Sequence, residues 1–278
     1  MRWIVALLLL AAPALAQEVA LPPGDPAQAP VVLVLHGGGG TGADLRRHSG
    51  FDALAAAAGV VAVYPDAPRR VWNDGRNPAN PRDDVAALLA MVDALAARGI
   101  GDGRRLYVIG HSNGGGMAMR IACTAPERIA GIAIVATKTL LGAPCAHPDA
   151  PVPALFLHGT MDTIAPHAGR RTTDPDRRVA RLARRIGEAA SAAETLALWS
   201  RRNRCSGETV AVTDPDPADG ITLRVHDFTG CAAPLRWVEM VGAGHGWPGA
   251  TTRPALLRAE PHVNDIDAGA AALAFWFR

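Results

Sequence analysis

Six short apolar runs, at 31–35, 60–64, 106–109, 131–135, 154–157 and 235–240, alternate with alanine-rich stretches at 43–58, 83–97, 114–124, 179–202 and 265–276. The alternation of strand-like and helix-like segments predicts an α/β fold, a mostly parallel sheet with helices on both faces. The strands are continuously apolar, as strands buried on both sides should be. Two stretches, 65–83 and 213–220, are dominated by Pro, Asn, Asp and Gly and read as loops. The second is expected to join a small hairpin, 209–212 with 222–226. No internal repeat or linker breaks the pattern, so residues 17–278 are expected to form one domain.

The run at 106–109 leads into Gly110-His111-Ser112-Asn113-Gly114 and directly on into a helical stretch. With five serines and 29 glycines in 278 residues, chance gives only about 0.05 occurrences of Gly-x-Ser-x-Gly, a motif whose strand–turn–helix context must confirm it. That context is present. A flexible linker would not be flanked on both sides by core-forming segments. The sequence therefore predicts a serine held on a sharp, strained turn, a nucleophile elbow, with the Asn113 N–H aimed where an acyl oxyanion forms.

A serine hydroxyl needs a base to take its proton. The run at 154–157 ends in "HGTMDTIAP" and the run at 235–240 ends in "VGAGHGWPG". Asp162 and His245 thus follow strands at the carboxyl edge of the sheet, where open α/β sheets bind ligands. The order Ser112, Asp162, His245 matches the order of nucleophile, acid and base in this kind of fold. Of the rival histidines, His158 is better placed to tie loops, His111 is the variable residue of the elbow, and His36 orders the glycine loop that it opens. That loop, "HGGGGTG" at 36–42, lacks the Gly-Lys-Ser/Thr ending of a phosphate cradle. It reads instead as the second half of an oxyanion hole, with Gly38 N–H, or alternatively Gly39 N–H, joining that of Asn113.

Composition adds compartment and excludes partners. Residues 1–16, MRWIVALLLLAAPALA, have the positive start, apolar stretch and Ala-x-Ala end of a secretory signal peptide cleaved after Ala16. Export to the periplasm or beyond is expected, with no membrane anchor. A formal charge of +2 gives no reason to expect nucleic acid as a partner. The basic segment 177–185 reads as a solvated helix face. Four cysteines, Cys123, Cys145, Cys205 and Cys231, in an exported chain suggest disulfides with three possible connectivities. Pairing neighbours, 123 with 145 and 205 with 231, is preferred. No spacing fits a zinc site, and neither metal nor organic cofactor is expected.

With the elbow, the glycine loop, "VWNDGR" (71–76), "HGTMD" (158–162) and "GHGWPG" (244–249) in hand, the chain resembles a known family. It is similar to exported α/β-hydrolase esterases grouped with polyhydroxybutyrate depolymerases and the feruloyl or acetylxylan esterases of carbohydrate esterase family one. The likeness runs from about 31 to 277. It implies the same triad, the same neighbour pairing of cysteines, and Trp72 and Trp247 at the border of the substrate pocket. Two departures stand out: glycine occupies position 38, where many relatives carry a cysteine or another side chain, and the family's first strand pair is reduced.

The expected activity is hydrolysis of carboxylic esters through an acyl-Ser112 intermediate, on hydroxyalkanoate oligoesters or on acyl or feruloyl esters of polysaccharide. A serine peptidase of the same fold and a non-catalytic binding module are the alternatives.

Overall fold

The computed structural model describes residues 17–77, 79–252 and 260–277; the signal-peptide expectation lies outside them. In chain order the elements are β1 (Gln17–Ala20), β2 (Pro30–Leu35), α1 (Gly42–Ser49), α2 (Phe51–Ala58), β3 (Val61–Pro65), α3 (Asp84–Ala96), β4 (Asp102–His111), α4 (Asn113–Thr124), β5 (Gly131–Val135), β6 (Ala154–Gly159), α5 (Arg177–Ile186), α6 (Ala192–Arg202), β7 (Gly207–Thr213), β8 (Thr222–Thr229), β9 (Leu235–Val241) and α7 (Ala268–Trp276). The nine strands form a single sheet in the order β1-β3-β2-β4-β5-β6-β9-β8-β7. The six predicted strands are its parallel centre. The expected hairpin is β7–β8, which continues the sheet antiparallel to β9. At the opposite edge β1 pairs antiparallel with β3, and it is what remains of the strand pair expected to be reduced.

Pleating divides the core. Val31, Leu33 and Leu35 pack with α3, α4 and α6 on one face, while Val32 and Val34 pack with α1, α2 and α7 on the other. Both sides of β2 are therefore buried, as are those of β3, β5 and β6, which is why these strands are continuously apolar; β9 departs from the expectation with the half-buried Arg236 and Glu239.

Two predicted helices are broken. The stretch 43–58 is α1 and α2 separated at Gly50, whose φ of 62° places it in the left-handed region, where glycine carries no steric penalty. The stretch 179–202 is α5 and α6. Gly187 ends α5 at φ 86°, and Ala189 pairs in single bridges with Leu140 and Arg170. Ser191 and Glu194 then restart the helix with a reciprocal capping box. Arg177, Arg178, Arg181, Arg184 and Arg185 all face solvent, so the basic segment is the solvated face expected of it.

Both neighbour disulfides are present, Cys123–Cys145 and Cys205–Cys231, with Cα separations of 4.7 and 3.9 Å. The second closes a loop across a sequence separation of 26 and pins the end of α6 to the turn between β8 and β9. Replacing both its cysteines by serine is expected to cost about 3 kcal/mol of stability from regained chain entropy in the unfolded state, measurable as a shift in the urea midpoint.

Candidate active site

Ser112 stands between β4 and α4 with φ 52° and ψ −115°, a conformation that L-residues adopt only at a cost. The surrounding glycines are required by close approach. A Cβ on Gly110 would fall 2.2 Å from the Gly114 carbonyl carbon, and one on Gly114 would fall 2.2 Å from the Leu35 oxygen. The start of α4 is thereby drawn against the end of β2. Ser112 N–H donates to the Val135 carbonyl at 2.8 Å, fixing the turn from the neighbouring strand β5. Asn113 is the first residue of α4, and the amides of a first helical turn have no intrahelical acceptor.

The glycine loop follows β2 and is held from below. Gly39 N–H donates to the Arg70 carbonyl at 2.7 Å and Gly40 N–H to that of Gly37 at 3.1 Å. Of the two candidate oxyanion donors, the Gly39 amide is therefore engaged, and that of Gly38 has no backbone acceptor among the described residues. A Cβ at Gly38 would lie 3.8 Å from that of Asn113, an ordinary contact, so the position has room for a side chain. His36 orders the loop as expected: Nδ1 donates to the Gly37 carbonyl at 2.7 Å and Nε2 accepts from Ala67 N–H at 3.0 Å.

The side chain of Asn113 clamps the motif at 71–76, a role not read from the sequence. Its Oδ1 accepts from Trp72 N–H at 2.7 Å, and its Nδ2 donates to the Trp72 carbonyl at 3.1 Å and to Asp74 Oδ2 at 2.7 Å. Asp74 is in turn gripped by Arg76, whose Nη1 reaches the Ile186 carbonyl. Trp72, expected at the pocket border, is only 1% exposed and has almost no surface to offer a substrate. Its Nε1–H donates to the His36 carbonyl at 3.0 Å, so it supports the glycine loop from beneath.

Asp162 and His245 meet at the carboxyl edge of the sheet. His245 Nδ1 lies 2.7 Å from Asp162 Oδ2, and both residues are buried. The other carboxylate oxygen accepts the amides of Ile164 and Ala165 at 2.9 and 2.6 Å. Burial alone would raise the carboxyl pKa of Asp162, but the bond to His245 and the nearby His158 and Ala165 amide hold it well below the usual carboxylate range. With Nδ1 engaged, Nε2 is the nitrogen of His245 left for proton transfer.

Two further braces escaped the sequence reading. His111 donates from Nε2 to the His245 carbonyl at 2.9 Å, and the two rings are 5.1 Å apart. The residue beside Ser112 thus holds the backbone of His245. Desolvation, aided by the charge of His245, lowers the His111 pKa to about 4, so it serves as a neutral donor. Glu260 bridges the acid and base loops, accepting from His245 N–H, Thr163 N–H and Thr163 Oγ1–H.

Behind Asp162 is the only lysine of the chain. Lys138 is 1% exposed, and its Nζ lies 2.8 Å from the Ala165 carbonyl and 3.0 Å from His158 Nε2. His158 Nε2 is itself 2.9 Å from that carbonyl and 4.0 Å from Asp162 Oδ2. Burial lowers the Lys138 pKa to about 7 and drives that of His158 well down as well. Among the described residues, no group of three or more His, Cys, Asp or Glu side chains is arranged to hold a metal ion, and no helix is long and apolar enough to cross a membrane.

Unfolding returns Lys138 from about 7 toward its ordinary 10.5, so between those values the unfolded chain binds the extra proton. Stability should therefore rise with pH across that window. Lys138→Met is expected to flatten the rise, read from urea midpoints of both proteins at pH 7 and pH 9.5.

The comparisons with known proteins agree with this fold. The family model described as "Alpha/beta hydrolase family" matches residues 31–260. The chain is 34% identical over 253 residues to "Putative esterase NocK" of Nocardia uniformis subsp. tsuyamanensis, a match covering 85% of this chain and 71% of that protein. It is 33% identical over 129 residues to "Feruloyl esterase B" of Neurospora crassa, covering 44% of each chain. It is also 32% identical over 118 residues to "Poly(3-hydroxybutyrate) depolymerase" of Ralstonia pickettii, covering 37% of this chain and 24% of that one. Among solved structures, the acetyl xylan esterase from Aspergillus awamori superposes with a TM-score of 0.56 at 15% identity, covering 93% of both chains; at that identity the likeness speaks for the fold alone. By its matched residues and by the sheet that carries them, this chain belongs to the alpha/beta hydrolase family.

Proposed function

We infer that the protein is an exported serine esterase in which Ser112 is the nucleophile, His245 the general base and Asp162 the residue that orients it. The observation that carries this reading is the buried 2.7 Å bond from His245 to Asp162, held at the rim where the strained Ser112 stands. His245 Nε2 takes the Ser112 proton as Oγ attacks the ester carbonyl. The resulting oxyanion accepts the N–H groups of Gly38 and Asn113, whose loss one at a time typically costs about 3 kcal/mol in such sites. Collapse of the tetrahedral adduct returns the proton to the departing alcohol and leaves acyl-Ser112. Water, deprotonated by the same imidazole, then releases the acid.

The substrates proposed are short hydroxyalkanoate oligoesters or acyl and feruloyl esters of polysaccharide, in line with the names of the relatives. Trp247 is a better candidate than Trp72 for contact with them. It follows His245 by two residues, and its buried indole N–H has no partner among the described residues. The two disulfides favour an oxidising compartment, consistent with export.

A fluorophosphonate is expected to label Ser112 and to leave Ser112→Ala unlabelled. That variant should lose turnover by about 10⁴-fold or more, with its urea midpoint close to that of the parent. Retained hydrolysis would overturn the assignment. Relative kcat/KM on a hydroxybutyrate trimer, methyl ferulate and an acetylated xylo-oligomer then identifies the acyl group.

A further inference from the structure

A cavity of about 220 Å³ opens between α4, α6 and the loop at 139–149. Ser112, Asp162 and His245 do not line it. Its walls are apolar, formed by Met119, Leu140, Pro144, Leu198 and the Cys123–Cys145 bridge. Five charged residues also line it, Asp74, Arg120, Asp149, Arg201 and Arg202. Arg202 is 6% exposed, yet it makes no ion pair among the described residues. Its Nη2 donates to the Ala122 carbonyl at 2.7 Å, its Nη1 rests 3.3 and 3.7 Å from the two sulfurs, and its guanidinium lies 5.0 Å over the ring of Trp199. Its Nε–H is buried with no acceptor among the described residues.

A buried guanidinium without a counter-ion is costly. Burial lowers the Arg202 pKa, and among the described residues the carboxylate that acts on it is that of Asp149, an exposed residue lining the same cavity. Arg120 and Arg201 also line the cavity. Asp74 does too, but it is paired with Arg76. The balance of charge left at the lining is cationic. Guanidinium matches a carboxylate in geometry and charge. The apolar lining requires an apolar body on that anion, and 220 Å³ exceeds the roughly 150 Å³ of an apolar cavity that holds one benzene. A strongly hydrated phosphate or sulfate suits such walls poorly.

We propose that this cavity is a second ligand site, distinct from the triad, that binds a small amphipathic monocarboxylate through Arg202, with the apolar body against Leu198 and the disulfide. The test is calorimetric titration with sodium trans-cinnamate, using trans-cinnamamide as the uncharged control. Saturable binding of one cinnamate with Kd of about 1 mM or tighter is expected from a ligand of this size. The amide should bind at least about tenfold more weakly. Arg202→Met should weaken binding by at least about tenfold, and Ala143→Trp, which fills the cavity and leaves Arg202 in place, should abolish it. Ser112→Ala should bind like the parent, so the result stands apart from the esterase reading. The absence of saturable binding, equal affinity for acid and amide, or undiminished binding by a folded Ala143→Trp protein would each overturn the proposal. The last outcome would assign the cinnamate to the catalytic cleft. If Arg202→Met does not fold, the Ala143→Trp and amide comparisons still decide the question.

Discussion

The site depends on how closely two backbone segments can approach. The start of α4 lies so near the end of β2 that a methyl group on Gly114 would overlap the Leu35 carbonyl, and one on Gly110 would overlap Gly114 itself. Only a chain without Cβ atoms there can turn from strand to helix within a single residue, and that residue is Ser112. The strain stored at φ 52° persists because β5 grips the Ser112 amide and the sheet holds both flanks. A looser turn would let the serine relax and lower its hydroxyl out of reach of an incoming carbonyl.

Around this turn the protein uses polar side chains as joinery. Asn113 fastens the 71–76 motif, His36 fastens the glycine loop, His111 fastens the backbone of the base, and Glu260 fastens the acid loop to the base loop. Each link has a partner distant in sequence, and together they let segments from five different strand ends keep one geometry. The electrostatics follow the same economy. Asp162 stays ionised within the interior because His245 and the Ala165 amide favour the charged form, while His158 and Lys138 sit behind it with their protonation suppressed by burial.

Much of this was legible in the sequence, for physical reasons. The central strands declared themselves because burial on both faces favours apolar runs, and the loops that carry Ser112, Asp162 and His245 could be located because each follows a central strand. Alanine-rich helices were harder to place. Gly50 and Gly187 interrupt sequences whose composition is helical throughout, and only a left-handed φ reveals the break. Trp72 was expected to face substrate because it belongs to a distinctive motif, but its indole N–H is committed to the His36 carbonyl. The braces at His111, Asn113 and Glu260 carry no periodicity or spacing of their own; their function exists only in contacts across 134, 41 and 97 residues of chain. That the Gly39 amide is engaged by the Arg70 carbonyl likewise appears only in the fold.

Burying the chain's single lysine has a consequence for the molecular exterior. Every cationic side chain that meets solvent permanently is an arginine, whose guanidinium keeps its proton beyond pH 12, whereas surface ammonium groups discharge near pH 10. The outer charge pattern of this protein is therefore nearly constant into strongly alkaline media. Amine-directed coupling reagents find no ε-amino group on the surface, which leaves the chain terminus as the amine such chemistry can reach.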